Sequence, residues 1–117
     1  MDVLIVDDNL SITTMLEKYL TIKGFTCTVS NDGRNGLTLI ENKHFDAVIL
    51  DLAMPDFSGI RVIENLSKSG KINETKIIVL TASIIDEEQI QKLRDQGVFT
   101  ILKKPAELNV LLEALKS

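Results

Sequence analysis

The chain has 117 residues, with 13 Lys and Arg against 17 Asp and Glu, for a formal net charge of −4. A chain of this length forms one domain and buries roughly two-thirds of its unfolded surface, so it needs no disulfide or structural metal to hold a core. The acidity provides no field for a phosphate backbone, the lysines are scattered, and four Phe and one Tyr with no Trp leave few rings for base stacking, which excludes nucleic acid as a direct partner.

A lone cysteine, Cys27, can form no internal bridge and has no companion zinc ligands, as expected in a reducing compartment. The N-terminus reads Met1-Asp2-Val3-Leu4-Ile5-Val6-Asp7-Asp8, with an acid where a secretory signal needs a base. No apolar run approaches the roughly 18 residues of a membrane span. These features predict a cytoplasmic protein that does not engage a membrane.

In chain order, the first apolar run is Val3–Val6, unbroken as in a strand buried on both faces. Ile12, Leu16, Tyr19 and Leu20 then share one face of a helix, and Gly24 follows its end as a left-handed terminator. Phe25–Val29 mixes in polar residues and reads as an edge strand. Leu37 and Ile40 mark a short helix over 34–43, and Ala47–Leu50 is a second continuous strand. Ile60, Ile63 and Leu66 mark a third helix, and Ile77–Leu80 a third buried strand. The helix over 86–96 opens on Asp86-Glu87-Glu88, acids that suit a helix N-terminus, but offers only Ile90 and Leu93 to a core, so it is predicted to be lightly anchored. Phe99–Leu102 is a second edge strand, and Leu108, Leu111, Leu112 and Leu115 stand at i, i+3, i+4 and i+7 of a last helix.

Five strands alternating with five helices, at spacings too long for hairpins, imply right-handed crossovers and a doubly wound α/β fold with a parallel sheet. Sites in such folds lie at the carboxyl ends of the strands. There the chain carries Asp7-Asp8, Asp51, Thr81 and Lys103-Lys104-Pro105. Each has an ordinary structural role by itself, but all fall on one rim. Three converging carboxylates repel unless a cation offsets them. An all-oxygen set favours a hard ion, and Mg²⁺ binds a few carboxylates while keeping positions for water and phosphate. A carboxylate nucleophile, a metal, a lysine and a hydroxyl together suit phosphoryl transfer.

With these residues in place, the chain from Val3 to about Leu115 resembles the receiver domains of two-component response regulators. The resemblance rests on Asp7-Asp8 after Leu-Ile-Val, Asp51-Leu52-Ala53-Met54-Pro55 followed by Gly59, Thr81-Ala82, and Lys104-Pro105, in order and at family-like separations. It implies a flavodoxin-like strand order 2-1-3-4-5. It also implies that Asp51 accepts a phosphoryl group from a histidine kinase's phosphohistidine, and that Asp8 and Asp51 ligate Mg²⁺ directly, Asp7 through water and Ala53 through its carbonyl. Thr81, the Ala82 amide and Lys104 would contact phosphoryl oxygens, with the bond to Pro105 commonly cis. Such a domain catalyses its own modification but is not a turnover enzyme. Lys103, on the opposite side of its strand, reads as a surface charge.

Two departures from the family pattern stand out. Receiver domains often carry Phe or Tyr three residues before the site lysine, and this chain has Ile101, so the usual aromatic switch is replaced by an aliphatic one acting with Thr81. Phe99, two residues earlier, is a candidate substitute by strand alternation. Ala53 and Ser83, two residues beyond Asp51 and Thr81, bring no group that orients water strongly, which predicts a long-lived phosphorylated state.

A haloacid-dehalogenase-type phosphatase would need an acid at Ala53, and no phosphate-binding glycine loop follows the first strand. A receiver-like module signalling without phosphorylation is the remaining alternative, although such modules usually lack an acid, the lysine or the acceptor. His44 is read as a helix-end residue, Cys27 as packing, and Gly59 as a turn glycine of positive φ. Only Lys116 and Ser117 follow the last helix, so the expectation is a receiver domain over 1–117 without an output domain. Output then passes to a downstream protein through helix 86–96, strand five and the last helix, with a phosphorylation-dependent homodimer as one form it could take.

Overall fold

A computed structural model describes all residues from Met1 to Ser117. Val3, Leu4, Ile5 and Val6 are fully buried, and alternate residues of their strand feed two separate apolar clusters. This strand, β1 (Asp2–Val6), is therefore covered on both faces, as its unbroken apolar run requires. The chain continues through α1 (Leu10–Ile22), β2 (Thr26–Ser30), α2 (Gly33–Asn42), β3 (Ala47–Leu50) and α3 (Gly59–Ser69). A single 3₁₀ turn over Lys71–Glu74 precedes β4 (Lys76–Thr81), α4 (Glu87–Gln96), β5 (Thr100–Lys103) and α5 (Leu108–Lys116). All pairings are parallel, in the order β2-β1-β3-β4-β5. The predicted doubly wound, flavodoxin-like order is the one observed, with the two polar strands at the edges.

One cluster, including Leu4, Val48, Ile77, Ile63, Leu66 and Leu93, lies under α2, α3 and α4. The other, including Ile5, Ile49, Ile78, Leu16, Leu20 and Leu111, lies under α1 and α5. α4 contributes only Leu93 as a buried residue, as its sparse apolar pattern predicts. Its start is nevertheless well closed: Asp86 accepts from Gln89 N–H at 2.8 Å while the Gln89 side chain accepts from Asp86 N–H at 3.2 Å. The boundary differences are local. β4 extends one residue at each end beyond 77–80, and Phe25 precedes β2, closing α1 by donating its N–H to the Leu20 carbonyl at 3.0 Å.

Phe99 and Ile101 have different surroundings. β5 begins at Thr100, one residue after Phe99, although the Phe99 N–H still donates to the Ile77 carbonyl of β4 at 2.9 Å. The Phe99 ring is 48% exposed and lies beneath the Lys76 ammonium, 4.5 Å from it, while that ammonium also donates to the Ala114 carbonyl at 3.0 Å. Ile101 itself packs against the first cluster.

Gly59 also differs from its expected role. Its φ is not positive, and the left-handed residue of that turn is Asp56, at φ 67°. Glycine is needed for space, because a Cβ at position 59 would stand 2.1 Å from the Asp51 carbonyl oxygen. His44 lies beyond the end of α2, with its Nε2 3.5 Å from Asp46, so its partner is a carboxylate rather than the helix terminus. Cys27 is half-buried against the second cluster, and burial pushes its thiol pKa up despite an opposing hydrogen bond with Thr21.

Candidate functional site

β1 and β3 are central neighbours, and Val6 pairs with Leu50. The first residue beyond each strand is an aspartate, so the register brings Asp7 and Asp51 to the same level, and Asp51 N–H donates to the Val6 carbonyl at 3.0 Å. Both are buried, at 3% and 5% exposure, while Asp8 is exposed. Each of the three offers a carboxylate oxygen, and these oxygens lie within 4.8 Å of one another. The donors are all oxygen and all anionic, which fits a hard divalent cation such as Mg²⁺. The Ala53 N–H approaches Asp51 Oδ1 at 3.4 Å, and the Ala53 side chain is exposed at the mouth of the site.

Lys104 reaches this group from the edge strand, across β4. Its Nζ lies 2.7 Å from Asp7 Oδ2 and 3.3 Å from Asp51 Oδ2. The chain thus carries its own cation among the acids, which sequence alone does not reveal. Burial by itself would push the Lys104 pKa down, but the hydrogen bond to Asp7 and the charges of Asp51 and Asp7 outweigh it and raise the pKa above the ordinary lysine value. Its N–H donates to the Thr81 carbonyl at 3.0 Å, and the Lys104–Pro105 peptide is cis. Lys103 is exposed, as alternation predicts.

Thr81 ends β4 and is 1% exposed. Its hydroxyl oxygen accepts the Ser83 N–H at 3.2 Å, which leaves the hydroxyl proton free to donate elsewhere. Ala82 is exposed beside it, and with Lys104, Pro105, Ile12, Met15, Leu80 and Ala106 it lines a cavity of about 390 Å³ next to the acids.

The first turn after β1 contains supporting residues that sequence reasoning passed over. Asn9 N–H donates to Asp7 Oδ1 at 2.9 Å, and the Asn9 side chain caps α1 by accepting from Ile12 N–H. Asn31 Nδ2 donates to the Asp7 carbonyl at 2.9 Å and to Thr13 Oγ1 at 3.2 Å, tying β2 to the same turn. The short spacing from Asp7 to Asn9 is a signal for the first of these; nothing local announces Asn31.

Residues 3–116 match the model of the response regulator receiver domain family. The chain belongs to this family. Response regulator MprA of Mycolicibacterium vanbaalenii is 34% identical over 98% of this chain and 48% of its own length, so the receiver domain spans about half of that relative. Among solved structures, the chemotaxis protein CheY4 of Vibrio cholerae is 30% identical with a TM-score of 0.86, covering 98% of this chain and 95% of that one. Response regulator TrrA of Thermotoga maritima, solved in complex with Mg²⁺ and BeF, is 29% identical with a TM-score of 0.82, covering 98% and 96%. A receiver domain is a signalling domain of two-component systems, not a turnover enzyme, and this one carries the acidic cluster at which such domains bind Mg²⁺. None of its helices is long and apolar enough to cross a membrane.

Proposed function

We propose that this receiver domain is a phosphorylation-activated switch of the cytoplasm, in which Asp51 takes a phosphoryl group from the phosphohistidine of a sensor histidine kinase or phosphotransfer protein. The observation that carries this reading is the convergence of Asp7, Asp8 and Asp51 with Lys104 and the free hydroxyl proton of Thr81 on one rim. Mg²⁺ would be held by Asp8, Asp51 and the Ala53 carbonyl, with Asp7 acting through water, and it would supply positive charge that offsets the phosphoryl oxygens. TrrA, a relative solved with Mg²⁺ and BeF, supports the same assignment by similarity.

An Asp51 carboxylate oxygen attacks phosphorus. As the new P–O bond forms, the P–N bond to the imidazole breaks and its electron pair stays on the leaving nitrogen. Lys104 exchanges its 3.3 Å contact with Asp51 for a phosphoryl oxygen, and the Thr81 hydroxyl and Ala82 N–H donate to the others. Because Thr81 heads the loop into α4, its engagement draws residues 82–86 toward the site. α4, held in the core only by Leu93, and Ile101 of β5 then repack. The face formed by α4, β5 and α5 is the output surface, read by a downstream protein or by a second phosphorylated copy. A coupling of about 1–3 kcal/mol is enough to make the modification informative.

Intact mass after incubation with acetyl phosphate and Mg²⁺ tests the assignment. Wild type should gain one phosphoryl group and Asp51→Asn none. No addition, or equal addition in both, overturns it in favour of a module that signals without phosphorylation.

A further inference from the structure

β1 and β2 run parallel, and their ladder continues one step past the last paired residues, Val6 and Ser30, where the Asp7 N–H donates to the Ser30 carbonyl at 3.1 Å. In a parallel ladder the next bond would bring the Asp32 N–H to the Asp7 carbonyl. Asp32 instead caps α2, its side chain accepting the Asn35 N–H at 2.7 Å. The Asn31 side chain supplies the missing donor, with its Nδ2 at 2.9 Å from the Asp7 carbonyl. The same Nδ2 also donates to Thr13 Oγ1 at 3.2 Å, and Thr13, 2% exposed, donates in turn to the Leu10 carbonyl at 3.2 Å. Two acceptors thus hold the Asn31 amide in one orientation.

The consequence falls on Asp8. This residue is exposed, forms no ion pair, and takes part in none of the backbone hydrogen bonds of its turn. Its place is set by the peptide groups on either side. The Asn9 N–H, which follows it, donates to Asp7 Oδ1 at 2.9 Å, so that bond belongs to the acid cluster itself. Of the two, only the Asp7 carbonyl, which precedes Asp8, is fixed from outside the cluster, and Asn31 fixes it.

We propose that Asn31 is a positioning residue for Mg²⁺, which through the Asp7 carbonyl sets where the Asp8 carboxylate stands relative to Asp51. The inference rests on the reading of the acids as a Mg²⁺ site, and it names a residue outside them that tunes that site. Mg²⁺ accepts little departure from octahedral ligation at about 2.0–2.1 Å, so a ligand whose backbone drifts weakens binding. Ca²⁺ takes more oxygen ligands in a flexible geometry and tolerates the same drift. Asn31 therefore acts on the choice between the two ions as well as on affinity. Being neutral, it cannot do so through its own charge.

Asn31→Leu keeps the shape of the side chain and removes the donor. The probes are MgCl₂ and CaCl₂, titrated separately into the full chain at constant ionic strength and followed by amide chemical shifts at residues 7–9 and 51–53. Expected is Mg²⁺ binding about tenfold weaker than in wild type, the scale of a lost outer-shell contact to a metal ligand, with a clearly smaller loss for Ca²⁺. Asn31→Gln, which keeps a donor on a longer arm, should recover part of the Mg²⁺ affinity. The urea midpoint in chelator separates this from a purely structural role, since a packing defect would lower the midpoint and treat the two ions alike. Unchanged Mg²⁺ affinity in N31L, equal losses for the two ions, or N31Q as weak as N31L would each overturn the proposal. Wild type that binds no Mg²⁺ at these residues would overturn the metal reading and this inference together. The titration needs no phosphorylation, so Mg²⁺ binding without phosphate uptake by Asp51 would leave the role of Asn31 standing.

Discussion

Replacing Lys104 by Met removes the one cation that the fold places among its buried acids while keeping most of the aliphatic volume. At an effective dielectric near 20, charges at the observed separations from Asp7 and Asp51, 2.7 and 3.3 Å, attract with gross energies of about 6 and 5 kcal/mol. Desolvation offsets much of that. The Lys104 side chain is only 15% exposed and those of Asp7 and Asp51 4% and 6%, so the variant leaves two buried carboxylates beside the third with backbone N–H contacts but no cation. Breaking a buried pair in this way costs about 3–5 kcal/mol, a large share of the roughly 5–15 kcal/mol that holds a small domain together. Urea unfolding followed by circular dichroism near neutral pH, in chelator, should show this loss, and Mg²⁺ should restore part of it by binding only the folded acids.

Stability also depends on pH through Lys104. Because the folded pKa of Lys104 is raised, its contribution is fully present below the unfolded value near 10.4 and is lost as pH rises through the folded value. Wild type should therefore lose stability above about pH 10, and Lys104→Met should lose less there. A destabilisation below about 1 kcal/mol in chelator, the scale of an exposed ion pair, would refute the reasoning.

Gly59→Ala should cost about 1–3 kcal/mol or prevent folding, because the new methyl meets the Asp51 carbonyl and the Leu52 Cα rather than a movable side chain; an unchanged urea midpoint would contradict this. Leu93→Ala removes the single buried anchor of α4, so amide exchange across Glu87–Gln96 should accelerate far more than in the sheet, and uniform protection loss would show that α4 opens only with the whole domain. The Asp46 pKa is lowered chiefly by the Asp2 N–H at 2.7 Å, with the His44 imidazole helping against desolvation. Its contribution is present above the unfolded value near 3.9 and is lost as pH falls through the folded one, so Asp46→Asn should flatten the acid limb of thermal stability. With Ala53 and Ser83 flanking the site, the phosphorylated form should outlast a rapid assay, and a half-life of seconds in purified protein with Mg²⁺ would sink that expectation.

The strands were legible because Val3–Val6, Ala47–Leu50 and Ile77–Leu80 are continuous runs that only a strand covered on both faces can bury, and the observed core contains every one of these residues. The light anchoring of α4 was legible for the converse reason, since a helix cannot contribute apolar residues that it lacks. The surroundings of Phe99 and the role of Gly59 were not legible, because period-two alternation is a guide only inside a strand, and because a glycine's need for space is invisible until another backbone approaches it.

The order of burial, the acidic start of α4 at Asp86, and the set of polar groups awaiting a rim were determined by sequence alone, because periodicity and capping act over a few residues. Tertiary structure decided how those groups meet. Lys104 bridges Asp51 across 53 residues and an intervening strand, and Gly59 is required because the Asp51 and Leu52 backbone passes against it. These contacts depend on strand order, register and close backbone approach, which are set by packing the whole sheet between its two helical layers and carry no signature within any short stretch of chain.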